Sequence, residues 1–207
     1  LEALKYFCED APEYHIAVAG SLLGVALHAG ISFPVGKVQT MRLFPMDFEE
    51  FLMAMGEEQL LKLMHSHDYE LMNAFHEKLK DLLRQYYYVG GMPEVVKAFV
   101  ENKLLNQVRS LQNEILSNYA SDFSKHAPSQ EVPRIDMVWQ SILGQLSKEN
   151  KKFVYGVLKK GGRAKEFELA IQWLVDAGLV YKITKVSKPE LPLKFYEDLS
   201  AFKLYLC

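Results

Sequence analysis

The sequence predicts a mainly α protein, α+β in class, with a short α/β stretch at its start and a helix-turn-helix with two extended segments at its end. Three observations carry that prediction. Apolar residues recur at helical spacing through most of residues 47–146, which marks amphipathic helices. The first 45 residues instead hold two short apolar runs, HIAVAG at 15–20 and VQTMRL at 38–43, of the kind strands show. From Ser147 onward the order is helix, Gly161-Gly162 turn, helix, Gly178, strand, turn with Pro189 and Pro192, extended segment, the order of a winged helix-turn-helix.

Each element has its own local reason. Residues 1–9 repeat Leu1, Leu4, Tyr6, Phe7 and Cys8 at helical spacing, and the stretch around Pro12 breaks them. HIAVAG ends at Gly20 as a buried parallel strand would, and Ser21 follows as a candidate N-cap. Asp47 caps a helix running to Met55, with Glu49 and Glu50 in its first turn. Leu71, Met72, Phe75, Leu79, Leu82, Leu83 and Tyr86 form one face of a single long helix. The Gly90-Gly91-Met92-Pro93 run ends it, and Pro93 starts a helix over 94–100. Leu104, Val108, Leu111, Ile115 and Tyr119 make another helical face. A loop with Pro128 and Pro133 follows, then a helix over 135–146. Ser147 caps a helix with Phe153, Val154, Val157 and Leu158 inward. Residues 164–176 form the next, with Gly178 as its C-cap. Residues 179–186 alternate as a strand, and 193–206 read as extended or mixed.

Composition narrows the function classes. The 207 residues suit one large domain or two small ones, and the 49% hydrophobic fraction is far above that of a disordered chain. No apolar run reaches the roughly 18 residues of a membrane span, and the opening LEALKYF lacks the order of a signal peptide. Cys8 and Cys207 do not make a disulfide framework, which points to a reducing compartment, the cytoplasm. The opening at Leu1 and the close on AFKLYLC lead us to expect a fragment of a longer protein. The net charge of −2 argues for no global attraction to nucleic acid, yet it is unevenly spread. Residues 148–188 hold ten Lys or Arg and four acids, a net +6, so the remainder carries −8.

The candidates for chemistry are few. Gly30 to Lys37 resembles a phosphate loop, but five residues separate its glycines where four are needed. Pro34 removes an amide donor, and Val38 replaces the hydroxyl that holds Mg²⁺. Ser21, at the carboxyl end of the first apolar run, suits either a helix cap or a polar group facing a γ-phosphate. His65 and His67 lack further metal ligands, and His126 with Asp122 reads as a structural pair rather than a catalytic dyad. Tyr86, Tyr87 and Tyr88 point in three directions on a helix, so most pack rather than stack on bases. Lys159, Lys160, Arg163 and Lys165 cluster at the turn before the last helix. They suit nucleic-acid phosphates, while Glu166, Glu168 and Asp176 on that helix argue against reading of base edges.

At these residues the chain resembles a known family. LKYFCEDAPEYHIAVAGSLLGVAL and SFPVGKVQTMRLFPMDFEEFL are similar to the second half of the ATPase core in a large family of prokaryotic AAA-superfamily ATP-binding proteins. YYYVGGMPEVVKAFVE, DFSKHA, the stretch from QLSKENKKF to LVYKI, and LPLKFYEDLSAFKLYL resemble that family's C-terminal domain of unknown function. The resemblance implies four regions. Residues 1–46 would be the C-terminal part of the AAA-type core, a remnant of an α/β P-loop ATPase fold. Residues 47–127 would be a helical lid or connector, 128–188 a winged helix-turn-helix, and 189–207 the start of a truncated, restriction-endonuclease-like domain. It implies that the P-loop and the Walker B acids precede Leu1, and that HIAVAG is the sensor strand with Ser21 at its tip. The parent protein would bind ATP and Mg²⁺, and this chain would hold no cofactor and hydrolyse no ATP. Two further readings stand beside the ATPase: a winged-helix protein gripping DNA weakly and without sequence preference, and a protein-interaction module. An oligomer fits each of them, and a membrane partner fits none.

Overall fold

The computed structural model describes residues 3–20 and 36–206. They form two compact units, one of Arg42–Ala120 and one of Leu1–Met41 with Ser121–Cys207.

The described residues among the first 44 depart from the expected α/β pattern. Helix α1, Ala3–Asp10, forms as its spacing predicts, and the Ala11 N–H closes it on the Phe7 carbonyl at 3.1 Å. Neither 15–20 nor 38–43 is a strand; both are irregular, with Ile16, Val18, Met41 and Leu43 exposed. The physical reason is that a parallel strand has no hydrogen-bond partners of its own. Among the described residues no neighbouring strand exists for either run.

The helical unit begins at Asp47. Its carboxylate accepts from the Glu50 N–H at 2.9 Å, and the Glu50 carboxylate accepts from the Asp47 N–H at 2.9 Å. This capping box starts α2, Phe48–Ala54, where residue spacing placed it. Helix α3 follows, Glu58–Ser66. The single helix expected through Leu71 and Tyr86 is two, α4 (Tyr69–Ala74) and α5 (His76–Val89). At Phe75 the N–H bonds to the Met72 carbonyl at 3.0 Å, three residues back, and this tight turn ends α4. Neither Gly nor Pro marks the break, and Leu71 and Phe75 are left exposed. Gly90, at φ 76°, ends α5. Pro93 opens α6, Pro93–Asn102, in the first-turn position where its missing N–H is harmless.

Phe51, Val89, Val95, Val96, Phe99 and Val108 form the main core of this unit. Leu52, Leu60 and Leu82 form a second. Each fully buried side chain of this size contributes about 1.5–3 kcal/mol. Val108 comes from α7, Leu105–His126. The segment entering the unit is fixed at Met46, whose N–H donates to the Gly91 carbonyl at 2.7 Å while its carbonyl accepts from the Tyr86 hydroxyl at 2.9 Å. A Cβ on Gly91 would lie 2.2 Å from the Met46 carbonyl oxygen, so only glycine fits there.

In the other unit, α8 spans Val132–Leu146 and takes Pro133 into its first turn, where a loop was expected. Ser147 ends α8 rather than starting a helix: its N–H bonds to the Leu143 carbonyl and its hydroxyl donates to the Gly144 carbonyl at 2.9 Å. Lys151 takes φ 51°, residues 152–154 have no helical structure, and only a 3₁₀ turn, Tyr155–Val157, is helical. The run Phe153-Val154-Tyr155-Gly156 has poor helix propensity, and tertiary partners hold its start. The Phe153 N–H donates to the Phe202 carbonyl at 3.0 Å, and the Val154 N–H to Oε1 of the buried Gln145 at 2.6 Å.

Helix α9, Ala164–Asp176, forms as predicted. Strands β1 (Val180–Val186) and β2 (Glu197–Leu206) pair antiparallel, with Thr184 opposite Phe202 and Lys185 opposite Asp198. The extra residues of β2 form a bulge in which Asp198 Oδ1 accepts from the Ser200 N–H and hydroxyl. Aromatic rings lead the core. Phe123 meets Trp139 and Trp173 edge-on at 5.6 Å each, and Phe153 stacks on Phe202 at 5.4 Å.

Candidate functional site

The basic cluster predicted before α9 is assembled by a tight turn. Gly161 takes φ 76° and the Gly162 N–H bonds to the Lys159 carbonyl at 2.8 Å. Gly162 is packed 3.0 Å from the Lys159 and Tyr155 carbonyl oxygens at its Cβ position. Lys159 Nζ stands 3.7 Å from Glu166 Oε2, a surface pair that contributes little. Lys160 is exposed in the turn. Arg163 occupies the N-cap of α9. An arginine side chain has no acceptor, so only half of a capping box exists: the Arg163 N–H donates to Glu166 Oε1 at 3.3 Å.

Arg163 and Lys165 share a surface depression of about 380 Å³ with Glu131, Arg134, Glu166 and Leu169. Arg134, in the first turn of α8, is ion-paired through Nη1 to Glu131 Oε1. The other carboxylate oxygen, Glu131 Oε2, is buried with no hydrogen-bond partner. Glu131 and Arg134 were not anticipated from the sequence. The signal that could have raised suspicion is an arginine at a helix N-cap, a position that Ser, Thr, Asp or Asn usually fills.

The remaining candidates separate. Ser21 lies outside the described residues, as does 30–35 of the glycine-bearing segment. Lys37 is ion-paired with Glu9, which draws the Glu9 carboxyl down and the Lys37 ammonium up through their shared hydrogen bond. The five-residue glycine spacing and Pro34 depart from a P-loop in the sequence itself. Among the described residues no three His, Cys, Asp or Glu side chains gather as a metal site. His65 bonds to Glu49 at 3.0 Å, and His67 ends α3 in a left-handed conformation. Asp122 pairs with Lys125 at 3.7 Å. Of the three tyrosines, Tyr86 packs in the core, Tyr87 is exposed, and Tyr88 lies under Arg109 at 5.4 Å.

The shifted tyrosines have structural causes. Burial raises Tyr86, with the Asp47 and Glu50 charges adding to it, and burial raises Tyr155 beside Glu168. The hydrogen bond to Glu190 raises Tyr196. Hydrogen bonds from Ser200 draw Asp198 down. No helix among the described residues is long and apolar enough to cross a membrane.

Together the elements define a helical unit followed by a helix, extended segment, 3₁₀ turn, helix and β-hairpin. That arrangement coincides with a family. A family profile described as a domain of unknown function, DUF8612, matches residues 80–207, more than half of the chain, and the protein belongs to that family. A profile described as an AAA domain matches residues 1–52, so this first quarter is similar to part of an AAA domain. Neither the curated proteins nor the solved structures contain a match.

Proposed function

We propose that this chain is a section of an ATP-binding AAA-superfamily ATPase of prokaryotic type. In this reading residues 1–46 belong to the nucleotide-binding core, 47–127 are its helical lid or connector, and 128–188 are a winged helix that passes the nucleotide state to residues 189 onward. The observation that carries the reading is the AAA-domain match over residues 1–52, continued in the same chain by the DUF8612 match from residue 80. Ser21 would be the sensor group at the γ-phosphate, where catalysis is mostly positioning. ATP and Mg²⁺ would be held by a P-loop and Walker B acids elsewhere in the protein, and this chain alone would not hydrolyse ATP.

The test is the coding frame 5′ of Leu1. The reading expects GxxxxGK[ST] followed by an apolar run ending in Asp-Glu, within about 100 residues. An in-frame stop or an unrelated domain there would overturn it. On the 207-residue chain, calorimetric titration with Mg·ATP should give no micromolar binding; such binding would return the phosphate role to Gly36 and Lys37.

A second reading, a nucleic-acid-binding winged helix, is favoured by the Phe153–Phe202 backbone bond, which adds a third extended segment beside the hairpin. The outward side of α9 weighs against sequence reading. Lys165 stands there with Glu168 and the exposed Leu169, and Gln172 is engaged by Asp176 at 2.7 Å. If DNA binds, Lys159→Ala with Lys160→Ala should weaken all sequences alike, and Gln172→Ala should leave preference unchanged. A binding-site selection that enriches one motif would contradict this.

A further inference from the structure

We propose that the open edge of β1 takes up an extended acidic peptide as a further antiparallel strand, with Lys182 and Lys185 pairing its carboxylates. This inference stands apart from the ATPase reading, because it uses none of residues 1–46.

The edge follows from the pairing of the hairpin. Among the described residues the sheet consists of β1 and β2 alone, so β1 has a neighbour on one side only. The Phe202 carbonyl accepts from the Phe153 N–H, so it points away from β1. Backbone groups alternate in direction along an antiparallel ladder, and two residues of a non-bonded pair both point outward. Thr184, opposite Phe202, therefore points away from β2, and so does Lys182, opposite Leu204. These two residues present two N–H donors and two carbonyl acceptors outward, at strand spacing. Among the described residues no helix or loop backbone bonds to them.

The side chains define what that edge accepts. β1 carries Lys182 and Lys185 and no acid, while the acids of the hairpin, Glu190, Glu197 and Asp198, lie in the turn and on β2. Lys182 is exposed, with Nζ 4.6 Å from the centroid of the Phe202 ring. Lys185 is exposed opposite Asp198, whose carboxylate already accepts from Ser200. Lysines on a sheet edge keep copies of one chain apart, because a second β1 would bring two more lysines to the same seam. The same lysines attract a strand that carries carboxylates. A nucleic-acid backbone offers no N–H donors at strand spacing, so it would leave both outward carbonyls unmet.

Antiparallel pairing fixes the order of the guest. Read from its N-terminus, the peptide meets Lys185, Thr184, Ile183, Lys182 and Tyr181 in turn. Acids belong opposite Lys185 and Lys182, and apolar residues belong beside the exposed Ile183 and Tyr181. The preferred sequence is acid, any residue, apolar, acid, apolar.

The probe is the peptide TTETVEVTT, titrated into the full 207-residue chain and followed by amide shifts of residues 180–186. Saturable binding with a Kd of roughly 0.1–1 mM is expected for one short added strand. The decisive modification sits on the peptide, so the protein stays as it is. N-methylation of the peptide residue facing Thr184, or of the one facing Lys182, removes an N–H aimed at β1 and should weaken binding about tenfold. N-methylation of the residue facing Ile183 removes an N–H aimed away from β1 and should cost less than about threefold. Lys182→Glu should lose the parent peptide and prefer one with lysine in place of the acid facing that position.

Equal losses from the three N-methylations would overturn the proposal and leave only attraction between charges. Equal binding of the charge-reversed peptide TTKTVKVTT would also overturn it. A mixed-sequence oligonucleotide that shifts the same amides at lower concentration than the peptide would overturn it in favour of a phosphate grip. Concentration-dependent shifts of residues 180–186 in the protein alone, with a dimer mass in sedimentation, would overturn it in favour of a second copy. No shift at several millimolar peptide would leave the edge without its guest and refute the proposal outright.

Discussion

Leu43 and Leu52 lie close together in the chain, yet Leu43 is fully exposed and Leu52 has no exposure at all. The same division separates the regions around them. Residues 15–20 and 38–44 are as apolar as any strand but find no partner among the described residues, whereas the helices after Asp47 close their own hydrogen bonds and need only a neighbour for one face. A helix is a local solution and a parallel strand is a collective one. Among the described residues of the AAA-like quarter there is no sheet to receive these runs. Both leucines fall within the AAA-domain match over residues 1–52, and Leu52 is packed in a core that Leu60 and Leu82 complete.

Substitutions at the two leucines and their neighbours break this comparison most directly. Phe51→Ala removes a ring packed on Tyr86 and Phe99 and should cost about 3–5 kcal/mol in urea unfolding. Leu43→Ala should stay within about 0.5 kcal/mol of the parent by the same measurement. Equal effects would mean that the first region packs as firmly as the second. Gly91→Ala should cost roughly 1–3 kcal/mol, because the added Cβ meets the Met46 carbonyl oxygen. Gly144→Ala, inside α8 with open space at its Cβ, should instead gain about 0.5–1 kcal/mol. Gln145→Ala strips the Val154 N–H of its acceptor and should cost about 1–3 kcal/mol.

The smallest effect depends on pH. Burial, aided by Asp47 and Glu50, holds the Tyr86 phenol above the ordinary tyrosine range. A folded pKa above the unfolded one contributes stability that is complete below about pH 10 and lost as pH rises through the folded value. Urea midpoints measured between neutral and alkaline pH should show that loss in the parent. Tyr86→Phe, which also loses the bond to Met46, should lack this contribution to the decline.

The parts legible in the sequence were those fixed by nearby residues. Asp47 with Glu50, Gly90 to Pro93, and the alternation in 180–186 each specify their element locally. Ser147 carries a hydroxyl that can cap a start or bond back at an end, and the choice is made by the side chain of Gln145, a helix residue whose partner is not marked by spacing, and by Phe202, far along the chain. Phe75 carried no breaker, so its turn left no signal. For the candidate site, Arg163 and Lys165 were visible as charge, but Glu131 and Arg134 enter only because α8 starts beside α9. The orphaned oxygen is a property of packing, which no spacing rule records.

Native-state hydrogen exchange on the 207-residue chain tests the division itself. The account predicts that the amides of Phe51, Val96, Phe99, Ile171 and Leu174 exchange only through large-scale opening, while those of residues 16–20 and 39–43 exchange at near-unstructured rates. Protection of residues 16–20 equal to that of α6 would contradict it, and would mean that the AAA-like segment builds its sheet within this chain.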